Sequence, residues 1–272
     1  MDTNSGAKAS PPSLTHEGPI ARGTALLRLL ASAGRRGAGL TELAQKTSLP
    51  HSSVHRLLAQ LLRQRLVMQR EGTHLYAIGP LAYELGLVAA QQFDIRRLCR
   101  PVMERLASES GEAVYFVQRS GSEAVCIDVI ESQGSARILT LQPGSRRPLG
   151  LGAGGLAILA GLPPYEREEV LSSVAGTIER HWRVPEESIR QSIKEVRTTG
   201  YAVIRNTVTP GVSAIGRSFK DSLHQVFGAL TVAGLSGRLT SRRMGSLRQH
   251  LDRAITSMES VLHSPTWTQY ST

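Results

Sequence analysis

The sequence predicts an α+β chain of two domains: a mostly helical N-terminal third built as a winged helix-turn-helix, and a larger C-terminal α+β domain. Three observations predict it. Residues 40–65 hold a short helical segment, a tight turn and a longer helix with one apolar stripe. A hairpin signal follows directly. Beyond Gly111 the apolar period drops from about 3.6 to about 2, and strands and helices then bracket one another.

Residues 1–18 are rich in Ser, Pro and Gly and lack an apolar run, so they read as a disordered tail and not as a signal peptide. Leu26, Leu27, Leu29 and Leu30 mark a first helix ending near Gly34. Thr41 can cap a second, Glu42–Lys46, by accepting from an orphan backbone N–H. Thr47-Ser48-Leu49 makes the turn, and Pro50 suits the first helical position, where an N–H has no partner. In His51–Arg65 the apolar residues Val54, Leu57, Leu58, Leu61 and Leu62 form one stripe, and His51, Ser52, His55, Arg56, Gln60, Arg63 and Gln64 face away from it. This is the spacing of a helix-turn-helix whose second member enters the major groove. Leu66–Gln69 and Thr73–Ala77 then read as two strands around Glu71-Gly72, a wing with Arg70 and His74 beside its tip. The first domain is therefore expected over residues 19–79.

Charge agrees with duplex DNA as the partner. The 272 residues carry a formal net charge of +10. Nine bases against two acids lie between Ile20 and Pro80, so most of the excess sits in the first third. Aromatics make up 4% of the chain, too few for base-stacking platforms. Because the start of a recognition helix points at the groove, the candidate contacts are His51, Ser52, Ser53, His55, Arg56 and Gln60, with Arg70 and His74 on the wing. The serine hydroxyls and the helix dipole suit phosphate, and an Arg56 fork suits guanine. His55 and Gln60 can equally be solvated side chains. The competing reading of the motif is a small three-helix domain that binds protein.

The run from Leu40 to Gly86, with Leu49-Pro50, Ser52-Ser53-Val54-His55-Arg56-Leu57-Leu58, Tyr76 and Gly79-Pro80, strongly resembles the start of IclR-type bacterial transcription regulators, and the resemblance continues to about Leu262. It departs at Ser48, where the family usually has Gly. The likeness implies that residues 80–93, with Leu81, Leu85, Leu87 and Val88 as an apolar stripe, form a linker helix that helps pair subunits. It also implies a GAF-like effector-binding and oligomerisation domain over residues 94–264, with residues 265–272 a tail.

The second domain reads as a helix over Asp94–Ser110, bent or restarted at Pro101. Strands follow at Val114–Gln118, Ala124–Ile130 and Arg137–Leu141, then a Gly-rich turn and short helices near Gly154–Leu162 and Tyr165–Ser172. A helix over Glu186–Thr199 closes at Gly200, before strands at Tyr201–Arg205, Val212–Phe219 and Gln225–Ala233 and a last helix at Ser241–His263. GLGAGG at 150–155 matches GxGxxG, but no βαβ unit or following acid supports dinucleotide binding. The resemblance instead implies effector contacts at Ala153 and Gly154, although Leu156 stands where the family usually has Lys. It further maps pocket positions onto Ile204, Ala214, Thr231 and Ala233, where members that bind small polar acids carry Asp, Cys and hydroxyl groups. Three of those four are apolar here, which points to an effector more hydrophobic than a keto acid, such as an aromatic or alicyclic acid; plain core is the competing reading.

No Ser-His-Asp, HExxH, paired-carboxylate or P-loop pattern occurs, so no catalytic residue is expected, and His181 and His224 lie far apart in an expected loop and turn. Cys99 and Cys126 fit neither a metal-ligand spacing nor a disulfide framework, so no metal or cofactor is expected. The longest uncharged run, Pro148 to Tyr165, is broken by Gly and Pro-Pro, which makes a membrane span improbable and a cytoplasmic location the expectation. The mechanism this implies is a homodimer or dimer of dimers on an inverted-repeat operator, responding to a small organic effector. The other classes are a ligand sensor without sequence-specific DNA binding and, last, an enzyme.

Overall fold

The computed structural model describes residues 17–92, 95–131 and 141–263. Most of the expected N-terminal tail, the C-terminal tail and residues 137–140 of the strand expected at Arg137–Leu141 lie outside these; Leu141 itself is not in a strand. The chain divides into two compact units, residues 1–90 and 91–272.

In the first unit α1 spans Pro19–Ala33, β1 Ala38–Gly39, α2 Leu40–Thr47, α3 His51–Arg63, β2 Val67–Gln69, β3 Leu75–Ile78 and α4 Pro80–Gln92. The three helices of the motif close on Leu26, Leu30, Leu43, Leu49, Val54 and Leu58, all buried. Two capping expectations need correction. Gly39, not Thr41, precedes α2, because β1 pairs with β3 (Gly39 opposite Leu75) and the extended backbone runs up to Leu40. Pro50 sits just outside α3 in an extended conformation, and its carbonyl accepts from the N–H groups of Ser53 and Val54 at 3.0 and 3.1 Å. The wing is a sheet in the order β1-β3-β2. Gly79 ends it where a Cβ would stand 2.3 Å from the carbonyl oxygen of Arg65, so only glycine lets the wing return against the end of the recognition helix.

In the second unit α5 spans Ile95–Ser110, β4 Ala113–Ser120, β5 Glu123–Ile130, β6 Arg146–Pro148, α6 Gly152–Gly161, α7 Pro164–Trp182, α8 Glu186–Thr199, β7 Ala202–Arg205, β8 Val212–Lys220, β9 Val226–Leu235 and α9 Ser241–Leu262. Among the described residues, six strands form one antiparallel sheet ordered β6-β5-β4-β9-β8-β7. Pro101 does not restart α5, which runs through it as one helix. The short helix expected at Tyr165–Ser172 continues to Trp182 and takes in His181. β6 was not expected at all.

Helices cover both faces of this sheet. Val114, Phe116, Ile215, Phe219, Leu230 and Val232 pack with α5 and α9 in one core. The other face presents Ala113, Tyr115, Val117, Ala229 and Ala233, against which α6 packs. The glycines of the Gly-rich run serve this approach. A Cβ on Gly154 would stand 2.5 Å from Val117 Cγ2 and 2.9 Å from Thr231 Oγ1; one on Gly216 would stand 3.0 Å from the backbone of Ala153. GLGAGG is therefore a helix-to-sheet packing motif, and what precedes it is an edge strand of an antiparallel sheet. Cys99 and Cys126 are buried, and burial pushes both thiols up to about 12, so they are inert at neutral pH.

Candidate nucleic-acid interface and effector cavity

α3 places its polar residues as its periodicity requires. Val54 and Leu58 are buried, whereas His51, Ser52, His55, Arg56 and Gln60 are exposed and Ser53 is half-buried. The helix start has no acidic residue and no side-chain cap, and with the Ser53 and Val54 N–H groups taken by the Pro50 carbonyl, those of His51 and Ser52 remain to meet an anion beside the serine hydroxyls. On the wing Arg70 is half-buried and His74 exposed; Thr73 closes the tip by donating its N–H to the Arg70 carbonyl at 3.2 Å.

Ion pairing sorts the bases of this unit. Arg36 and Lys46 both donate to Glu42 Oε1, at 2.7 and 2.9 Å. The Lys46 hydrogen bond above all, with Arg36 behind it, holds the Glu42 carboxyl below its usual range against the opposing effect of burial. Arg65 pairs with Glu84 of α4 at 2.8 Å. Among the described residues, no ion pair or side-chain hydrogen bond engages Arg56, Arg63 or Arg70. The positive charge left uncompensated within the protein thus includes the recognition helix and the wing, the surface that a phosphate backbone would meet.

The second unit contains a cavity between the start of α6 and the face of the sheet that α6 covers. All six candidate positions line it: Ala153 and Gly154 from α6, Ile204 from β7, Ala214 from β8, Thr231 and Ala233 from β9. Register brings them together, since Ile204 is opposite Ala214 and Ala214 opposite Ala233. Val117, Leu141, Val208 and Val212 extend the apolar wall. Thr231 Oγ1 is the single buried side-chain oxygen or nitrogen without a hydrogen-bond partner among the described residues, and Thr231 is only 7% exposed. Such a group is a cost unless something else satisfies it.

Sequence reasoning missed Arg147, which lines the same cavity from β6. Burial lowers the pKa of its guanidinium, and the electrostatic effects of Tyr115 and Cys126 oppose that shift. Its neighbour Arg146 instead bonds Glu123 and Ser120, each at 2.8 Å. The available signal was strand alternation, which sends one of two adjacent arginines to each face, but β6 itself was not foreseen.

Comparison with known proteins fits both units. Residues 19–71 match the IclR helix-turn-helix domain, and residues 87–259 match the bacterial transcriptional regulator IclR C-terminal domain. The HTH-type transcriptional regulator KipR of Bacillus subtilis (strain 168) is 32% identical over 221 residues, covering 79% of this chain and 86% of KipR. An IclR family transcriptional regulator from Brucella abortus shares the fold with a TM-score of 0.73 at 23% identity, over 89% of this chain and 91% of that one. So does an IclR homologue from Microbacterium hydrocarbonoxydans, solved in complex with 4-hydroxybenzoate, with a TM-score of 0.65 at 20% identity over 90% and 99% of the two chains. With both domains matched across most of its length, the chain belongs to the IclR family of bacterial transcriptional regulators.

Proposed function

We propose that this regulator binds a specific inverted-repeat operator as a homodimer or dimer of dimers, and that a relatively apolar or aromatic acid in the cavity alters that binding. The observation that carries the ligand reading is the cavity lining: six positions from four elements converge on one mostly apolar space. The Microbacterium homologue's complex with 4-hydroxybenzoate is in keeping with an aromatic acid, though that ligand is a property of that protein. His51, Ser52, Ser53, His55, Arg56 and Gln60 would face the major groove, and Arg70 and His74 the adjoining backbone or minor groove. Pairing of subunits is supported by α4, whose Tyr83, Leu85, Leu87 and Val88 are exposed along one helix, an apolar surface that a second copy would cover. The effector acts by binding the operator-competent and incompetent arrangements with different affinity.

The test is a titration against DNA upstream of the chain's own gene and against a scrambled duplex, at two salt concentrations. Preference for the first, weakened steeply by salt, is the expected result. Equal binding to both duplexes would leave a ligand sensor without an operator. A thermal-shift screen should rank aromatic acids above glyoxylate-like acids, and the reverse order would sink the apolar-effector reading.

A further inference from the structure

We infer that Arg147 selects a carboxylate effector and sets its orientation, with the acid toward β6 and the apolar body toward β7 and β8. This rests on reading the cavity as the effector site. Among the described residues lining it, Arg147 is the one charged side chain. The rest of the described lining is polar only at Tyr115, Thr209, Thr231 and backbone groups. A guanidinium drawn into low dielectric favours an anion and repels a cation, and its planar fork matches a carboxylate.

Two further observations lie beside it. The first turn of α6 has no side-chain cap, so the N–H groups that begin it have no intrahelical acceptor. Arg147 Nη1 lies 3.9 Å from where a Cβ on Gly152 would stand, so guanidinium and helix start are neighbours. Two residues on, the unpartnered Thr231 Oγ1 lies 2.9 Å from where a Cβ on Gly154 would stand. Arg147 and the helix start are thus donors at the β6 end, and Thr231 on β9 is a third donor further along the lining. Across the sheet from β6, the far end is lined by Ile204, Val208, Val212 and Ala214. A monocarboxylate with an apolar body satisfies both ends at once. A dicarboxylate, an amine or an uncharged amide does not.

The experiment measures binding of benzoate, 4-hydroxybenzoate and their uncharged carboxamides to the full chain by calorimetry. The acids should bind the wild type at least tenfold more tightly than the amides. Arg147→Met should weaken the acids by about tenfold to a hundredfold, as loss of a charge-assisted hydrogen bond does, and erase the preference over amides. Arg147→Lys keeps the charge and should recover part of it, which a purely structural role would not predict. Thr231→Val should weaken acids several-fold; unchanged affinity would remove Thr231 from the site and leave Arg147. If acids and amides bind the wild type alike, or Arg147→Met keeps the preference, the Arg147 assignment is overturned while the effector cavity stands. If none of the four binds, the effector reading for aromatic acids fails and the assignment falls with it. The wild-type comparison and Arg147→Lys decide the matter even if Arg147→Met does not fold.

Discussion

The recognition helix and the cavity are built in opposite ways. α3 buries one stripe, Val54 and Leu58, and leaves its candidate contacts on the surface of a single element. The cavity draws on several elements, and its candidate residues, the half-buried Ile204 apart, are small or buried. On α3 the candidate contacts are laid over a finished core. The candidate cavity is made by what the core omits, and it holds the Thr231 hydroxyl without a hydrogen-bond partner, against the drive for stability. Substitutions in the two regions should therefore separate binding from folding on α3 and join them in the cavity.

The largest effect is expected in the cavity. Gly154→Val forces a side chain into Val117 and Thr231 and should destabilise by about 1–3 kcal/mol. It should also abolish the ligand response while leaving operator affinity within about twofold at temperatures where the variant is folded. Denaturant unfolding and DNA titration on one sample check both, and a parallel fall in operator affinity would break the contrast. Next, Arg56→Ala should weaken operator binding by about 1–3 kcal/mol with stability unchanged within about 0.5 kcal/mol. Unaltered affinity would remove Arg56 from the contacts.

Thr231→Val should sharpen the contrast, since it removes an unsatisfied buried hydroxyl and keeps the shape. The ligand-free protein should gain about 1 kcal/mol in stability, read as a higher midpoint of urea unfolding. A smaller gain is expected at the turn of the helix-turn-helix. Ser48 has φ 54°, in the left-handed region. That conformation costs a non-glycine residue about 1–2 kcal/mol, and glycine's greater unfolded-state freedom returns about 0.5–1. Ser48→Gly should therefore add somewhat under 1 kcal/mol and leave ligand affinity alone. The smallest effect concerns pH. The carboxyl of Glu42 is held below its ordinary value of 4.5, so its pairing stabilises the fold above that pH, and the contribution is lost as pH falls through the lowered value. Glu42→Gln should remove a few tenths of a kcal/mol of the stability difference between pH 7 and pH 3, in keeping with partly exposed pairs.

Legibility followed the same divide. Five apolar residues at helical spacing, a turn and a hairpin signal were enough to read α2, α3 and the wing, because local periodicity there reports directly which face is buried. Besides small shifts at element ends, the reading missed the two-residue β1, whose pairing displaced the cap from Thr41 to Gly39. In the second unit α8, β7, β8 and α9 were read to within a residue or two at each end, whereas β6 was missed: three residues, Arg-Arg-Pro, carry no apolar alternation and are a strand only because β5 lies beside them. The six cavity positions came from the family resemblance, and nothing in the periodicity of Ile204 or Ala233 distinguishes a pocket wall from plain core.

By itself, then, the sequence determined the helix-turn-helix, its exposed basic and hydroxyl face, and the family, since these are properties of neighbouring residues on one element. Only the tertiary structure decided that the Gly-rich run is a packing surface, that Thr231 lacks a partner, and that Arg147 shares a cavity with residues 57 or more positions away on β7, β8 and β9. Those depend on strand order and on which face of the sheet α6 covers, and non-local pairing of that kind leaves no local period in the chain.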